Sequence, residues 1–364
     1  MRKRLVWTAV LVGTLALAFF IRGVLTPKYA KYADSFFDTF HTVITVVAYT
    51  ESEEEFRTLF ERVHSRLKEL HNLYDIYNTY EGLNNIRTIN QNAGKQPVRV
   101  SREIIDLIRF AKDWYARTGG RTNIAMGAVL RIWHDYRQAG MDDPENAKLP
   151  PMDNLVQAAL HTDIDKVIVD EEESTVYLED PLMSLDVGAV AKGFAIELVA
   201  RELEEAGHKS VLLSSGSSIR AIGKPLDGER ERWGVGIQDP QGSIFSDDEG
   251  LLDVIFVRDA SVATSGGYQR YYVVDGKRYH HLIEPDTLMP ADYYQAVTVI
   301  ADHSGAADFL STTLFLLPYE QSRALADSLE GVEALWVMPD GEIRATQGME
   351  KVMRSKGASG ARAE

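Results

Sequence analysis

The N-terminus places the strongest constraint on how this chain can be organised. Three cations in Met1–Arg4 precede an uncharged apolar run, Leu5–Ile21, and Arg22 ends that run. A basic head before such a run is typical of a membrane-targeting segment, and the cations favour a cytoplasmic N-terminus. The run is near the shortest length that spans a bilayer, so residues 1–25 are predicted to be a membrane anchor or a cleaved signal. Both alternatives place the rest of the chain outside the cytoplasm.

Composition excludes several classes of site. The chain of 364 residues carries a formal net charge of −15, which disfavours nucleic-acid binding because such proteins present basic surfaces. There is no cysteine, so disulfides, thiolate nucleophiles, iron–sulfur clusters, cysteine zinc sites and lipid attachment through an N-terminal cysteine are excluded. Any metal must therefore be bound by oxygen or histidine ligands.

Helices and strands are both predicted, without a strict βαβ rhythm. A β-branched, alternating stretch at 39–49 predicts a strand, and apolar residues recur on one face of a helix over 53–73. Ser101 is placed to cap a further helix. The irregular order of elements favours an α+β fold, with mixed sheets packed against helices, over a doubly wound sheet.

The rest of the sequence predicts further helices and strands and the bounds of the domain. Residues 26–35 are predicted to be a tether, 36–345 one domain, and 346–364 a disordered tail. Further helices are predicted at 189–206, 306–316 and 320–329, and further strands at 211–213, 234–237, 254–257, 271–274, 296–300 and 334–338.

The segment SLDVGAVAKGFA at 184–195 suits a phosphate group. An apolar strand ends at Asp186, a turn of small residues follows, and Lys192 lies at the start of a helix. A helix N-terminus presents free N–H groups and a positive dipole end to an anion, and a lysine adds a mobile cation. An ordinary strand–turn–helix with a surface lysine explains this segment alone equally well.

The segment GAADFLSTTLF at 305–315 places a carboxylate above a hydroxyl. Asp308 and Thr312 are four residues apart on a predicted helix, so they lie on one face. Such a pair suits Mg²⁺, which takes a few protein oxygens together with substrate phosphate. The spacing alone is more often structural, because Asp in a first turn favours the helix dipole and Thr can bond its own helix.

Two further regions combine small and polar residues. The region 263–290 is predicted to hold a polar, flexible loop at Thr264–Gly267, and then a hairpin turning at Asp275-Gly276. His280 and His281 follow, and because neighbours on a strand face opposite sides, at most one of them serves a given site. The segments 212–223 and 123–133 are small-residue loops beside apolar elements, and neither identifies a ligand alone.

In their order and their amino-acid sequence, these segments resemble the ApbE family, the FAD:protein FMN transferases, from about Phe36 to Ala345. The matching signatures are FDTFHTV, NIAMGAVLRIWHDYR, DVGAVAKGFA, SSGSSIRAIG, TSGGYQRYY, HHLIEP and ADFLSTTLF. The resemblance implies an ApbE-like, T-fold-related domain that binds FAD as substrate in a cleft with a divalent cation, usually Mg²⁺.

The resemblance also implies roles for particular residues. The metal ligands are expected to be the backbone carbonyl of Ala189 and the side chains of Asp308 and Thr312. Lys192 and His281 are expected to act in catalysis beside the diphosphate, with Asp308 a weaker candidate for the base. Contacts to the flavin nucleotide are expected from Met126, Lys192, Gly216, Ser217, Thr264, Ser265, Gly266 and His281.

The chain also departs from the family pattern at several positions. Ser217 stands where a second glycine is usual, Glu284 replaces the aspartate before proline, and Leu288 replaces a glycine. Leu288 is expected to alter its turn and to shift His281. Arg121-Thr122 replaces a more apolar residue before Asn123. None of these changes falls in the segments of the expected metal ligands.

The activity implied by the resemblance is transfer of FMN from FAD to a Thr or Ser hydroxyl of an exported acceptor flavoprotein of an electron-transfer chain, with release of AMP. His281 is the expected base because an unperturbed histidine titrates near working pH. Two alternatives stay open: hydrolysis of FAD to FMN and AMP, and flavin binding without catalysis. An oxidoreductase has no positive support, because no GxGxxG follows a strand.

Overall fold

The computed structural model describes residues 28–242 and 250–361. The anchor or signal predicted within residues 1–25 lies outside these ranges. In the described part of the chain, no helix combines the length and apolar character needed to cross a membrane.

The described residues form fifteen β-strands and nine α-helices. The strands are β1 (Ala30–Thr39), β2 (Thr42–Thr50), β3 (Val98–Arg99), β4 (Val167–Asp170), β5 (Thr175–Leu178), β6 (Ser210–Ser214), β7 (Ser218–Gly223), β8 (Trp233–Gln238), β9 (Leu251–Val257), β10 (Ala260–Gly266), β11 (Tyr271–Val274), β12 (Lys277–His280), β13 (Ala296–Ala301), β14 (Glu333–Val337) and β15 (Ile343–Ala345). The helices are α1 (Glu53–Tyr74), α2 (Ile86–Gln91), α3 (Arg102–Arg117), α4 (Gly127–Asp142), α5 (Met152–Ala159), α6 (Ala191–Glu205), α7 (Ser304–Phe315), α8 (Tyr319–Ser328) and α9 (Gln347–Glu350).

An eight-stranded sheet forms the centre of the fold, in the order β1-β2-β6-β7-β10-β13-β14-β15. Its neighbouring strands all pair antiparallel. Three smaller sheets join β11 with β12, β8 with β9, and β3 with β5 and β4. This arrangement of sheets and helices confirms the predicted α+β fold.

The two faces of the central sheet bury different partners. Along β14, Ala334 and Trp336 face the larger core, which contains the helices, whereas Leu335 and Val337 face a second core with β8 and β9. This alternation follows from the two-residue period of a strand. Helix α7 lies within the larger core, and all twelve of its residues are buried. A helix apolar on nearly every side must be enclosed, so its polar residues are held in a desolvated position.

Helix α1 shows how closely local pattern sets structure. It was predicted over 53–73 and spans Glu53–Tyr74, with Ser52 at its N-cap accepting a hydrogen bond from the backbone N–H of Glu55. Ser101 is the N-cap residue of α3 as predicted, although its side chain makes no capping bond. The 123–133 segment is a loop only up to Met126, because α4 begins at Gly127.

Three predictions were wrong. Part of the tether at 26–35 is strand, because β1 begins at Ala30 and pairs with β2. The loop at Thr264–Gly267 is strand β10 as far as Gly266, paired with β13. The tail at 346–364 is ordered in its described part: α9 forms, and Met349 and Met353 are buried in the second core.

Candidate functional site

The turn before α6 brings Lys192 to a helix N-terminus. Helix α6 begins at Ala191, and its N-cap residue Val190 makes no side-chain capping bond. Gly193 lies against α7: a Cβ at this position would be 2.4 Å from the carbonyl oxygen of Ser304 and 2.6 Å from Cβ of Asp308. Only glycine therefore permits the two helices to approach this closely, and the approach brings Lys192 near Asp308.

Asp308 is held by groups from two other elements. Its Oδ2 accepts a hydrogen bond from the backbone N–H of Gly193 at 3.0 Å, and its Oδ1 accepts one from Oγ of Ser218 at 2.9 Å. Nζ of Lys192 lies 3.6 Å from Oδ2. Because Asp308 is only 5% exposed, these contacts fix its carboxylate at the wall of the cavity described below.

Thr312 lies one helical turn beyond Asp308, as the spacing predicted. Its Oγ1 is 3.1 Å from Oγ of Ser265, and the same Ser265 oxygen is 2.8 Å from Oγ of Ser311. Ser265 is on β10, and Thr264 beside it bonds Thr298 of β13 through their hydroxyls. Strand β10 therefore contacts α7 through the hydroxyl of Ser265 and β13 through the hydroxyl of Thr264.

The loop between β6 and β7 closes the cavity near Gly216. Gly216 has φ of +74°, and a Cβ there would lie 2.8 Å from Oγ1 of Thr42. Ser217 stands in place of the usual second glycine, and its carbonyl oxygen accepts a hydrogen bond from the backbone N–H of Thr264. The substitution therefore leaves this loop tied to β10.

His280 and His281 have different surroundings. His280 is the last residue of β12; its Nε2 is 2.8 Å from the carbonyl oxygen of Ala291, and its ring packs on Phe315. His281 follows the strand and lines the cavity, and its Nδ1 is buried without a hydrogen-bond partner among the described residues. Of the two histidines, His281 is therefore the one placed to act in the cavity.

Burial, together with the nearby guanidinium groups of Arg270 and Arg137, lowers the pKa of His281 to about 3. The sequence-based argument that His281 titrates near working pH is therefore wrong for this structure. The imidazole is neutral at ordinary pH, so it retains a free lone pair but has little tendency to take up a proton.

Two departures from the family pattern lie in the turn that follows His281. Leu288 has φ of +58°, which is the left-handed conformation that glycine adopts readily. Its carbonyl oxygen accepts a hydrogen bond from Nε1 of Trp133. Glu284 accepts hydrogen bonds from the hydroxyls of Thr287 and Tyr293. Leu288 thus takes a glycine-like backbone conformation, and its effect on the turn and on His281 stays a prediction.

The remaining departure from the family pattern, Arg121-Thr122, contacts α7 through Thr122. Arg121 pairs with Asp286, and Oγ1 of Thr122 lies 2.8 Å from Oγ1 of Thr313. Thr313 is the residue after Thr312, so Thr122 contacts the helix that carries two of the expected metal ligands, whereas Arg121 pairs outside that helix.

A single cavity of about 560 Å³ is lined by all the predicted site residues. Its volume lies within the range of about 300–1,000 Å³ usual for ligand pockets. These residues come from segments far apart in the chain, and the fold brings them together. They are Met126, Ala189, Lys192, Gly216, Ser217, Thr264, Ser265, Gly266, His281, Asp308 and Thr312.

Sequence reasoning missed other residues of this cavity. Burial raises the pKa of Asp186, although a hydrogen bond from the backbone N–H of Gly188 opposes the change. The available signal was the position of Asp186 directly before the small-residue turn. Among the other missed residues, His134, Arg137 and Arg270 lie within the matching signatures, whereas Tyr77 lies outside them.

The residues present fit a divalent cation bound together with a phosphate ligand. Within 28–242 and 250–361, no group of three or more His, Cys, Asp or Glu side chains could hold a metal ion. A cage built only from protein carboxylates is thus not available in these ranges. One carboxylate and one hydroxyl, Asp308 and Thr312, line the cavity beside Ala189, and such a sparse oxygen set suits Mg²⁺ that is also bound by substrate phosphates.

Comparisons with known proteins agree on one family. The model of the ApbE family matches residues 40–336. An FAD:protein FMN transferase of Treponema pallidum is 36% identical over 276 residues, covering 72% of this chain and 73% of the relative. One of Klebsiella pneumoniae is 31% identical over 285 residues, covering 78% and 84%. The crystal structure of the ApbE protein of Thermotoga maritima superimposes with a TM-score of 0.74 at 27% identity, covering 89% of this chain and 99% of that one.

Proposed function

Because the chain belongs to the ApbE family, we propose that it transfers FMN from FAD to a threonine or serine hydroxyl of an exported flavoprotein, with AMP as the leaving product. The observation that carries this proposal is the convergence of Lys192, Asp308 and Thr312 on one cavity. A cation at the start of α6, together with a carboxylate and a hydroxyl from within α7, suits a metal-bound diphosphate better than an isolated flavin ring.

The reaction exchanges one phosphorus–oxygen bond for another. The acceptor hydroxyl oxygen bonds to the phosphorus of the FMN half, the bond from that phosphorus to the bridging oxygen breaks, and AMP leaves with that oxygen. Such transfers depend mostly on positioning and charge neutralisation. Magnesium, when bound by Ala189, Asp308 and Thr312, would supply that neutralisation at the diphosphate.

Lys192 would stabilise the negative charge that develops on the phosphate oxygens. Its Nζ is near the carboxylate of Asp308 but beyond hydrogen-bond distance at 3.6 Å. The ammonium group can therefore turn to a phosphate oxygen without breaking a hydrogen bond. A preorganised donor of this kind is the usual source of electrostatic stabilisation in an active site.

His281 would accept the proton of the acceptor hydroxyl. A neutral imidazole carries a lone pair on one of its two ring nitrogens, but a pKa of about 3 makes this ring a weak base. A loose phosphoryl-transfer transition state needs little help from a base. The larger share of the rate enhancement is thus assigned to Lys192 and to the metal site.

We further propose that the domain acts outside the cytoplasm and is held at the membrane by residues 1–25. The charged head and apolar run of that segment support this placement. The partner would then be an exported flavoprotein of an electron-transfer chain. The acidic net charge gives no support to a nucleic-acid partner.

One assay tests the proposed activity. The full chain is mixed with FAD, Mg²⁺ and a purified exported flavoprotein domain, and the acceptor is followed by in-gel flavin fluorescence while free FMN and AMP are followed by chromatography. Fluorescent acceptor with one AMP released per flavin attached supports transfer. Free FMN and AMP without labelled acceptor would establish hydrolysis instead, and unchanged FAD would leave only binding.

A further inference from the structure

The contacts of Asp308 with α6 and β7 are repeated one turn away by a second buried carboxylate. Glu197 is four residues after Gly193 on α6, and its Oε2 accepts a hydrogen bond from the backbone N–H of Ser304 at 2.8 Å. Ser304 is the first residue of α7, four residues before Asp308. The antiparallel helices α6 and α7 are therefore joined by two carboxylate–amide bonds, one contributed from each helix.

Strand β7 contributes one further residue to the contacts of each of these two carboxylates. Ser218 bonds Asp308, and Arg220, two residues later, faces the same side of the strand. Nε of Arg220 lies 3.6 Å from Oε2 of Glu197. The pair is nearly enclosed, because Arg220 is 7% exposed and Glu197 4%. The same three elements thus meet at Asp308 in the cavity and at Glu197 behind it.

We propose that Glu197, paired with Arg220, is a positioning residue that fixes the spacing of α6 and α7 and thereby places Lys192 and Asp308 for the metal and the diphosphate. This inference rests on the proposed function. Glu197 does not line the cavity, so it acts through the residues that do.

The charge of Glu197 matters as well as its volume. Its carboxylate lies at the N-terminus of α7, where a negative charge is favoured by the helix dipole. It also receives Nε of Arg201 on Oε1 at 3.0 Å. Removing the carboxylate of Glu197 leaves the buried guanidinium of Arg220 with Glu204 as its remaining carboxylate partner, at 3.4 Å, and weakening a buried ion pair is more damaging than losing a surface pair. A neutral residue at 197 would therefore let β7 and α7 move relative to α6.

The test compares Glu197→Gln with a matched control, Asp253→Asn. Asp253 is also 4% exposed, and it accepts hydrogen bonds from the backbone N–H and Oγ of Ser355. It does not line the cavity. Both variants thus remove one buried carboxylate charge and keep the side-chain volume, but only one of them lies between α6 and α7.

Two readouts are taken on the full-length protein. Mn²⁺ binding in the presence of ADP, a diphosphate that carries no FMN to transfer, is followed by electron paramagnetic resonance. The Mg²⁺ concentration for half-maximal FAD turnover is measured beside it, and urea midpoints report stability. We expect Glu197→Gln to weaken Mn²⁺ binding about tenfold or more, the size typical for residues that orient metal ligands, with an equal rise in the Mg²⁺ requirement. Asp253→Asn should leave both values as in the wild type.

Arg220 provides a second route to the same result. Arg220→Gln removes the β7 partner of the ion pair and should weaken Mn²⁺ binding, as Glu197→Gln does. Arg220→Lys retains the positive charge and should retain much of the wild-type Mn²⁺ affinity. Arg220→Gln decides the matter if Glu197→Gln does not fold.

Wild-type Mn²⁺ affinity in a folded Glu197→Gln or Arg220→Gln protein would overturn the inference. An equal loss of Mn²⁺ affinity in Asp253→Asn would also overturn it, because the loss would then follow from removing any buried carboxylate. A wild-type protein that binds Mn²⁺ with ADP but labels no acceptor would contradict the proposed function and leave this comparison valid.

Discussion

Nζ of Lys192 lies 3.6 Å from Oδ2 of Asp308, although the two residues belong to different helices. The side chains are 17% and 7% exposed, so their charges interact with little screening by solvent. The separation exceeds the usual 2.7–3.2 Å of a hydrogen bond. The ammonium group is therefore held near the carboxylate by charge and remains available to a phosphate ligand.

Replacing Lys192 by methionine should slow FAD turnover by about 10²–10³-fold, the usual effect of removing one donor that stabilises transition-state charge. Initial rates at saturating FAD and Mg²⁺ measure this. Lys166→Met is the control, because Lys166 lies 3.8 Å from Asp180 at the surface and does not line the cavity. Equal rates in the two variants would remove Lys192 from the mechanism.

Replacing Gly193 by alanine should destabilise the fold and lower activity together. The new Cβ would meet backbone of α7 at 2.4 Å, which α7 can relieve only by moving away, at a cost of about 1–3 kcal/mol for overpacking. Urea unfolding and FAD turnover measure the two effects.

Gly234→Ala is the control for that change, because its Cβ would meet side chains at ordinary distances of 3.4–3.8 Å. We expect its stability and activity to stay near those of the wild type. Full activity in Gly193→Ala would show that the close approach of α6 and α7 is not needed.

Sequence reasoning found the residues whose signal is local. The apolar stripe of α1 set its bounds to within one residue, and the four-residue spacing of Asp308 and Thr312 correctly placed both on one helix. The segments that line the cavity were found through their resemblance to a known family, because none of them identifies a ligand alone.

Other elements depended on distant partners that a local pattern does not reveal. Strand β1 is largely polar and is stabilised by pairing with β2. The C-terminal segment is ordered because Met349 and Met353 bury in a core formed by β8 and β9, and isolated apolar residues give no periodic signal. The low pKa of His281 likewise follows from burial and from Arg270 and Arg137, which only the folded chain brings near.

His281 should make the protein more sensitive to acid. Its folded-state pKa is about 3, below the value of about 6.5 in an unfolded chain. The unfolded state therefore binds a proton first as pH falls, and stability is lost progressively from about pH 6.5 downward. Melting temperatures of wild type and His281→Gln between pH 7.5 and 4.5 measure this, and the variant should lose less. Parallel curves would show that His281 is solvated like a free histidine.

At position 288 a glycine variant should be more stable than an alanine variant, which is the reverse of their usual order. Its φ of +58° disfavours any residue with a Cβ, and its side chain is buried. Leu288→Ala should lose about 2–5 kcal/mol of stability through the lost packing. Leu288→Gly loses the same packing but relieves about 1 kcal/mol of backbone strain. Urea unfolding should thus find the glycine variant more stable, and the opposite order would mean that the turn is not strained.

The central claim is that Asp308 and Thr312 bind a divalent cation together with a diphosphate, and calorimetric titration of Mn²⁺ into protein saturated with ADP tests it most directly. Asp308→Asn keeps one oxygen for the backbone N–H of Gly193, and its amide nitrogen can donate to the hydroxyl of Ser218, which can rotate to accept, so the fold is expected to persist. We expect one Mn²⁺ bound per wild-type chain and none in folded Asp308→Asn. Unchanged Mn²⁺ binding in that variant would show that Asp308 is not a metal ligand.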